Sequence, residues 1–174
     1  MKRKIFTVLF ILLEFAVFPD STRVVGTTAC LDEKPSPPEI DYLEIKIDSG
    51  LRINISNSSI TLVLDDSIKQ QFTGYIASGL EMIDTIESEN ITIEYSNEIG
   101  MIEDRNRKIT ISFSTEGSVQ SAKLYITIEQ DGKSSINSIN KEHCEELLSL
   151  LEQADTMISD FQRQIDLFNS GSGK

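Results

Sequence analysis

Alternating apolar and polar residues predict a series of β-strands from residue 41 to residue 138. Leu43, Ile45 and Ile47, for example, alternate with charged residues, which is the period of a half-buried strand. Similar runs recur along the chain, and Asp131-Gly132 between two of them is a typical two-residue hairpin turn. The predicted strands are residues 41–48, 51–56, 60–64, 91–95, 108–114, 123–129 and 134–138.

Two segments instead carry apolar residues every three or four positions, which predicts amphipathic helices over residues 66–87 and 141–168. Asp65 or Asp66 is a suitable N-cap for the first helix, and Asn140 for the second. Gly74 and Gly79 lie inside the first helix. They either allow a neighbouring element to approach closely or only weaken the helix.

These elements predict a single α+β domain, an antiparallel sheet of about seven strands with two amphipathic helices on one face. A weak internal similarity has a constant offset of 75 residues, because it aligns Asp65 with Asn140 and Phe72 with Leu147. One interpretation is a duplicated β-hairpin-helix unit. The alternative is that any amphipathic α+β chain resembles itself at this level.

The first 29 residues have the pattern of an export signal. Lys2, Arg3 and Lys4 precede an apolar run over residues 5–13, which is too short to span a bilayer. We therefore expect export to the periplasm, the cell surface or the extracellular space.

Two small residues, Gly26 and Ala29, offer cleavage sites for this signal. Cleavage after Ala29 would make Cys30 the first residue, which resembles the lipid-modified cysteine of bacterial lipoproteins. The alternative is plain secretion with a free thiol. The remaining predicted regions are a proline-rich tether over residues 30–39, a folded domain over 40–168 and a flexible tail over 169–174.

Charge narrows the choice of partners. The whole chain has a formal net charge of −12, and removing the four basic and two acidic residues of the predicted signal gives −14. Such a surface repels nucleic acid and anionic lipid. We therefore expect no nucleic-acid partner, and membrane contact only through the signal or a lipid on Cys30.

Few residues suggest catalysis. His143 is the only histidine, and with Glu146 it could supply two metal ligands on one helix face, but two ligands do not make a site. No glycine-rich phosphate loop and no Gly-x-Ser-x-Gly motif occurs in the sequence. The sequence thus predicts no catalytic residues, metal or cofactor. Cys30 and Cys144 either pair or stay free, and the helical position of Cys144 favours a buried thiol.

The polar face of the sheet is the most suggestive surface, with Tyr125 as the anchor of a contact with protein or glycan. The alternative is an ordinary solvated face. The residues predicted on it are Arg52, Asn54, Thr92, Glu94, Thr110, Ser112, Tyr125 and Thr127.

The sequence therefore favours an exported, non-enzymatic protein that binds another macromolecule. Two other interpretations stay open. One is an envelope hydrolase with a carboxylate-based site, and the other is an acidic inhibitor or immunity protein directed against a basic partner.

Overall fold

The protein has an α+β fold, as predicted, with eight antiparallel strands and two helices in the residues that the computed structural model describes, 22–171. The strands are β1 (Arg23–Asp32), β2 (Glu39–Ile47), β3 (Ile53–Ser56), β4 (Thr61–Leu64), β5 (Glu94–Asp104), β6 (Arg107–Glu116), β7 (Lys123–Gln130) and β8 (Lys133–Ile139). The helices are α1 (Asp66–Ser88) and α2 (Lys141–Gly171).

The strands form one sheet in the order β4-β3-β2-β1-β8-β7-β6-β5. Strands that are neighbours in the sheet are also consecutive in sequence, except at the centre, where β1 meets β8, and the consecutive strands β4 and β5 lie at opposite edges. At that contact Leu31 pairs with Ser138 and Asp32 pairs with Asn137. The sheet thus consists of two four-stranded halves, β1 to β4 and β5 to β8, joined by a short central pairing.

The predicted alternation holds in the core. Leu43, Ile45 and Ile47 of β2 are fully buried, and so are Ile111 and Phe113 of β6. The predicted helix caps also hold: Asp65 Oδ1 accepts a hydrogen bond from the Ile68 amide at 2.9 Å, and Asn140 Oδ1 accepts one from the His143 amide at 3.0 Å. The Asp131-Gly132 turn has the positive φ angles, 52° and 76°, that its sequence predicts.

The order of elements repeats: four strands and a helix, then again four strands and a helix. We call β1 to α1 the first unit and β5 to α2 the second unit. Their first strands are both bulged, one between Val24 and Gly26 and the other between Glu98 and Gly100. The structural repeat is therefore larger than the predicted hairpin and helix.

Each helix packs on strands of the other unit. A Cβ atom at Gly26 of β1 would overlap Leu150 of α2, and one at Gly100 of β5 would overlap the ring of Tyr75 of α1. The two units are thus intertwined, and neither buries its own strands without the other. Gly79 packs against Leu124, whereas a Cβ at Gly74 would meet nothing within 4 Å, so close packing explains only one of these glycines.

The prediction that folded structure begins near Ile40 is wrong, because β1 begins at Arg23 and pairs with β2 along its length. Both predicted cleavage sites lie within β1. Residues 33–38, predicted as part of a tether, connect β1 to β2. The predicted export signal, residues 1–29, lies mostly outside the described residues, which begin at residue 22.

Other boundaries also differ from the predictions. The predicted strand 91–95 begins only at Glu94 and continues to Asp104. Leu51, predicted in a strand, has a φ angle of 57° and belongs to the β2–β3 turn. Helix α2 continues to Gly171, so residues 169–171 of the predicted flexible tail are helical, and 172–174 lie outside the described residues.

Candidate binding surfaces

Four residues of the predicted contact face lie together. Thr110 pairs with Thr127, and Ser112 pairs with Tyr125, across β6 and β7. All four are partly exposed on the face opposite to the buried Ile111 and Ile126. They form a hydroxyl-rich patch, which we call the hydroxyl face.

The other four predicted residues lie elsewhere. Asn54 is buried on β3, and Arg52 precedes that strand, where its guanidinium binds Asp48 at 2.9 Å. Both belong to the other half of the sheet. Thr92 lies in the segment before β5, Glu94 is the first residue of β5, and both are exposed. The structure therefore does not assemble the eight residues into one surface.

Tyr125, the predicted anchor, sits among acidic neighbours. Burial raises the pKa of its phenol, and the negative charges of Glu33 and Glu116 raise it further. The hydroxyl therefore stays protonated at neutral pH and is available as a hydrogen-bond donor. A neutral donor of this kind suits a carbonyl or carbohydrate oxygen.

Cys30 is a buried residue of β1, with 3% of its surface exposed. Asn137 Nδ2 lies 3.4 Å from its Sγ, and the Asn137 side chain accepts a hydrogen bond from Asn57 Nδ2 at 2.7 Å. Burial, followed by the charge of Asp41, raises the thiol pKa to about 12. Lipid attachment and this arrangement of β1 exclude one another, and lipidation of Cys30 stays a prediction.

Cys144 is also a free, buried thiol, on α2. Burial raises its pKa to about 12, and the charge of Glu145 adds to the effect. Thiolates rather than thiols are nucleophilic, so neither cysteine is activated as folded. The structure contains no disulfide between the two described cysteines.

Glu146, predicted with His143 as a possible metal ligand, contacts β1. Glu146 Oε2 accepts a hydrogen bond from Thr28 Oγ1 at 2.6 Å, which ties α2 to β1. Across residues 22–171, no group of three His, Cys, Asp or Glu side chains is placed to hold a metal ion. Glu146 therefore has a packing role between the two units.

An apolar groove lies between the C-terminal half of α1 and the start of β5. Met82 and Ile86 of α1 form one wall, Ile93 and Tyr95 form the other, and Phe113 of β6 lies between them. The groove encloses about 370 Å³. Ile93 is 55% exposed and Tyr95 is 41% exposed, with its ring centroid 6.2 Å from that of Phe113. We call this site the α1–β5 groove.

One apolar pattern in the sequence points to this groove, but the same pattern also predicts a strand. The residues from Ile91 to Tyr95 alternate like a strand with Ile91, Ile93 and Tyr95 on one side. A strand at that position would bury all three against the helices. Because α1 ends at Ser88 and β5 begins only at Glu94, Ile93 lies in a connecting segment and stays exposed.

The edge of β5 borders the groove. Among the described strands, β5 pairs only with β6, so its other edge has no strand partner. The side chains from Glu94 to Glu98 are all exposed. Such an edge presents unpaired backbone N–H and C=O groups that an extended chain can bind.

The chain matches no protein-family model, and comparison with curated proteins and with solved structures gives no match either. Within residues 22–171, neither helix is both long and apolar enough to cross a membrane.

Proposed function

We propose that this is an exported, non-enzymatic binding protein that contacts a partner protein through the α1–β5 groove. The observation that carries the proposal is the exposure of Ile93 and Tyr95 beside Phe113. Contiguous apolar surface that stays in contact with water is typical of interaction sites. Tyrosine is favoured there because its ring buries much apolar area while its hydroxyl stays hydrated.

Export is supported by the basic and apolar pattern of residues 2–13 alone. Fractionation and the intact mass of the native protein test this part directly. A shortened chain that lacks the basic and apolar segment of residues 2–13, recovered outside the cytosol, would agree with the proposal. Recovery of the uncut chain from the cell interior would contradict it. A mass increase that maps to Cys30 would indicate lipidation and an altered β1.

Binding is tested with a pair of matched variants. Ile93→Asp places a charge in the groove, whereas Val24→Asp changes an aliphatic residue of similar exposure, 51%, on β1. A photo-crosslinking residue at Ser78, on the rim of the groove, would capture the partner from envelope or culture fractions. We expect Ile93→Asp to reduce the crosslinked product about tenfold and Val24→Asp to leave it unchanged.

Two results would reject the groove as the contact surface. One is equal crosslinking in both variants. The other is a repeatable absence of any crosslinked protein across growth conditions. The hydroxyl face supplies an internal comparison, since a crosslinker at Thr110 should capture the partner less efficiently than one at Ser78.

The alternative of a carboxylate-based hydrolase needs an acid whose pKa is raised. Asp48 has its pKa lowered instead: hydrogen bonds from Arg52 outweigh the opposing effect of burial. The lowered pKa therefore favours a structural role for Asp48 in the β2–β3 turn.

A further inference from the structure

The free edge of β5 determines how a partner can approach the groove. Residues Glu94 to Glu98 have exposed side chains, and no described strand lies on that side. An extended segment added there would form main-chain hydrogen bonds along the edge, as in β-augmentation. At about 3.4 Å per residue, these five positions would hold a segment about 17 Å long.

The two faces of such an added strand would meet different surroundings. Tyr95 pairs with the buried Thr115 and so points to the side of the groove. Glu94 and Glu98, on the same strand, point to the opposite face, as does Ser112, the cross-strand partner of Glu98. Alternate side chains of the added strand would therefore lie next to an apolar groove and next to carboxylates.

Charge defines the second of these faces. Strand β5 contains Glu94, Glu98, Glu103 and Asp104 but no basic residue. Glu94 also lies directly opposite Glu116 of β6, and like charges at paired positions of a sheet are unfavourable. A cation placed beside Glu94 would relieve this repulsion.

We propose that the β5 edge binds an extended segment of a partner protein in which apolar and basic residues alternate. The apolar residues would fill the α1–β5 groove and the basic residues would lie beside Glu94 and Glu98. This inference rests on the proposed function, since it specifies the partner of the same groove. A second copy of the chain fits poorly, because pairing two β5 strands would bring their carboxylates together.

The test uses the full chain and a fluorescent peptide of about eight residues that alternates lysine and valine. A peptide that alternates glutamate and valine is the control ligand. The charge-reversed variant E94K/E98K is compared with E142K/E145K, which changes the net charge equally at two exposed positions of α2.

We expect the lysine peptide to bind the native protein and the glutamate peptide not to bind. E94K/E98K should weaken binding about tenfold, whereas E142K/E145K should change it less than about twofold. Raising the salt concentration from about 50 mM to about 300 mM should also weaken binding. Hydrogen exchange of backbone amides should slow in β5 when the peptide binds, since a new strand pairing protects them.

Three results would overturn the inference. The lysine peptide fails to bind at millimolar concentration, both variants lose affinity equally, or the β5 amides are protected in the free protein through self-association. These failures are distinct from failure of the proposed function. If Ile93→Asp abolishes capture of the natural partner while E94K/E98K does not, the groove remains the contact site and only the basic-strand inference is wrong.

Discussion

The first strands of the two units, β1 and β5, are alike in bulge and helix packing but differ in their pairing. Both carry a glycine at the bulge, and both are covered by the helix of the other unit. Strand β1 pairs with β2 and, at its end, with β8. Strand β5 pairs with β6 alone among the described strands. A repeated architecture thus gives one interior strand and one edge strand.

The length of the following connection explains this difference. Residues 33–38 separate β1 from β2, and the Glu33 amide donates a hydrogen bond to the Ile136 carbonyl of β8 at 2.9 Å. Only Arg105 and Asn106 separate β5 from β6, so β5 stops at Asp104. At the corresponding place Arg107 Nη1 donates a hydrogen bond to the Val63 carbonyl of β4 at 3.0 Å. The second unit thus has a side-chain hydrogen bond to β4 at the place where the first unit has a backbone hydrogen bond to β8.

This difference suggests how a symmetric fold acquires one binding surface. Pairing with β8 occupies part of β1, whereas the tight β5–β6 turn leaves the β5 edge open beside the α1–β5 groove. Truncations and substitutions in the two units can test how much this difference between β1 and β5 contributes to stability.

Removal of β1 should have the largest effect. A chain that begins at Cys30 lacks seven of the ten residues of β1, including Thr28 and its hydrogen bond to Glu146. Because residues 23–29 make most of the pairing with β2 and the contacts of Gly26 and Thr28 with α2, we expect this chain to lose cooperative unfolding in a circular dichroism melt. The loss would exceed a typical domain stability of about 5–15 kcal/mol.

A chain that begins at Thr22 is the control for this truncation and should unfold cooperatively. If the chain from Cys30 melts at the same temperature as the chain from Thr22, residues 23–29 are dispensable for the fold. Cleavage after Ala29 during export would then be compatible with the remaining fold.

Alanine substitutions at the two bulge glycines should have a smaller effect on stability, and the effect should differ between the two units. Gly100→Ala forces a methyl group against the rigid ring of Tyr75 and should cost about 2 kcal/mol in chemical denaturation. Gly26→Ala should cost less, because only the end of the flexible Leu150 side chain must move. Equal losses of unfolding free energy would mean that both helix–strand contacts accommodate an added methyl group equally well.

The two helices differ at an equivalent packing position. Gly79 of α1 corresponds to Ala154 of α2 at the 75-residue offset, and both are buried. Helix α1 therefore comes closer to its strands than a methyl group allows. Gly74 has no such neighbour, so Gly74→Ala should raise the free energy of unfolding by about 1 kcal/mol through helix propensity. Gly79→Ala should lower it, and a stabilising Gly79→Ala would contradict the close approach.

The sequence predicted the local elements better than the features that depend on their arrangement. Caps at Asp65 and Asn140 and the Asp131-Gly132 turn follow from short-range hydrogen bonding and φ preference, and all three are confirmed. Strand β1 was missed because its residues Thr27, Thr28 and Ala29 resemble the polar end of an export signal. Its burial depends on β2 and α2, which no local pattern encodes.

The candidate site was only partly predictable for the same reason. Alternation correctly placed Thr110, Ser112, Tyr125 and Thr127 on one face, because the outward positions of β6 and β7 follow from the period of each strand. It could not place Asn54 on the other half of the sheet. The exposure of Ile93 depends on where α1 ends and β5 begins, and apolar periodicity does not fix those boundaries to within a residue.

The smallest effect concerns the equivalent connections β2–β3 and β6–β7. In the first unit, Asp48 accepts hydrogen bonds from the Gly50 amide at 2.9 Å and the Arg52 amide at 3.0 Å. In the second unit, an uncharged hydroxyl, Ser121 Oγ, accepts one from the Glu116 amide at 2.7 Å. One connection thus depends on a titrating group, and the other does not.

The pKa of Asp48 is lowered from its ordinary value of 3.8, because its hydrogen bonds with Arg52 outweigh the opposing effect of burial. Its contribution is therefore fully present above the unfolded pKa and is lost as the pH falls through the lower folded value. Asp48→Asn should destabilise the protein slightly at pH 7 and progressively less below about pH 4, whereas the cost of Ser121→Ala should not change with pH. Urea denaturation at several pH values measures both. A deficit of Asp48→Asn that stays constant down to about pH 2 would mean that the carboxylate charge contributes nothing to the turn.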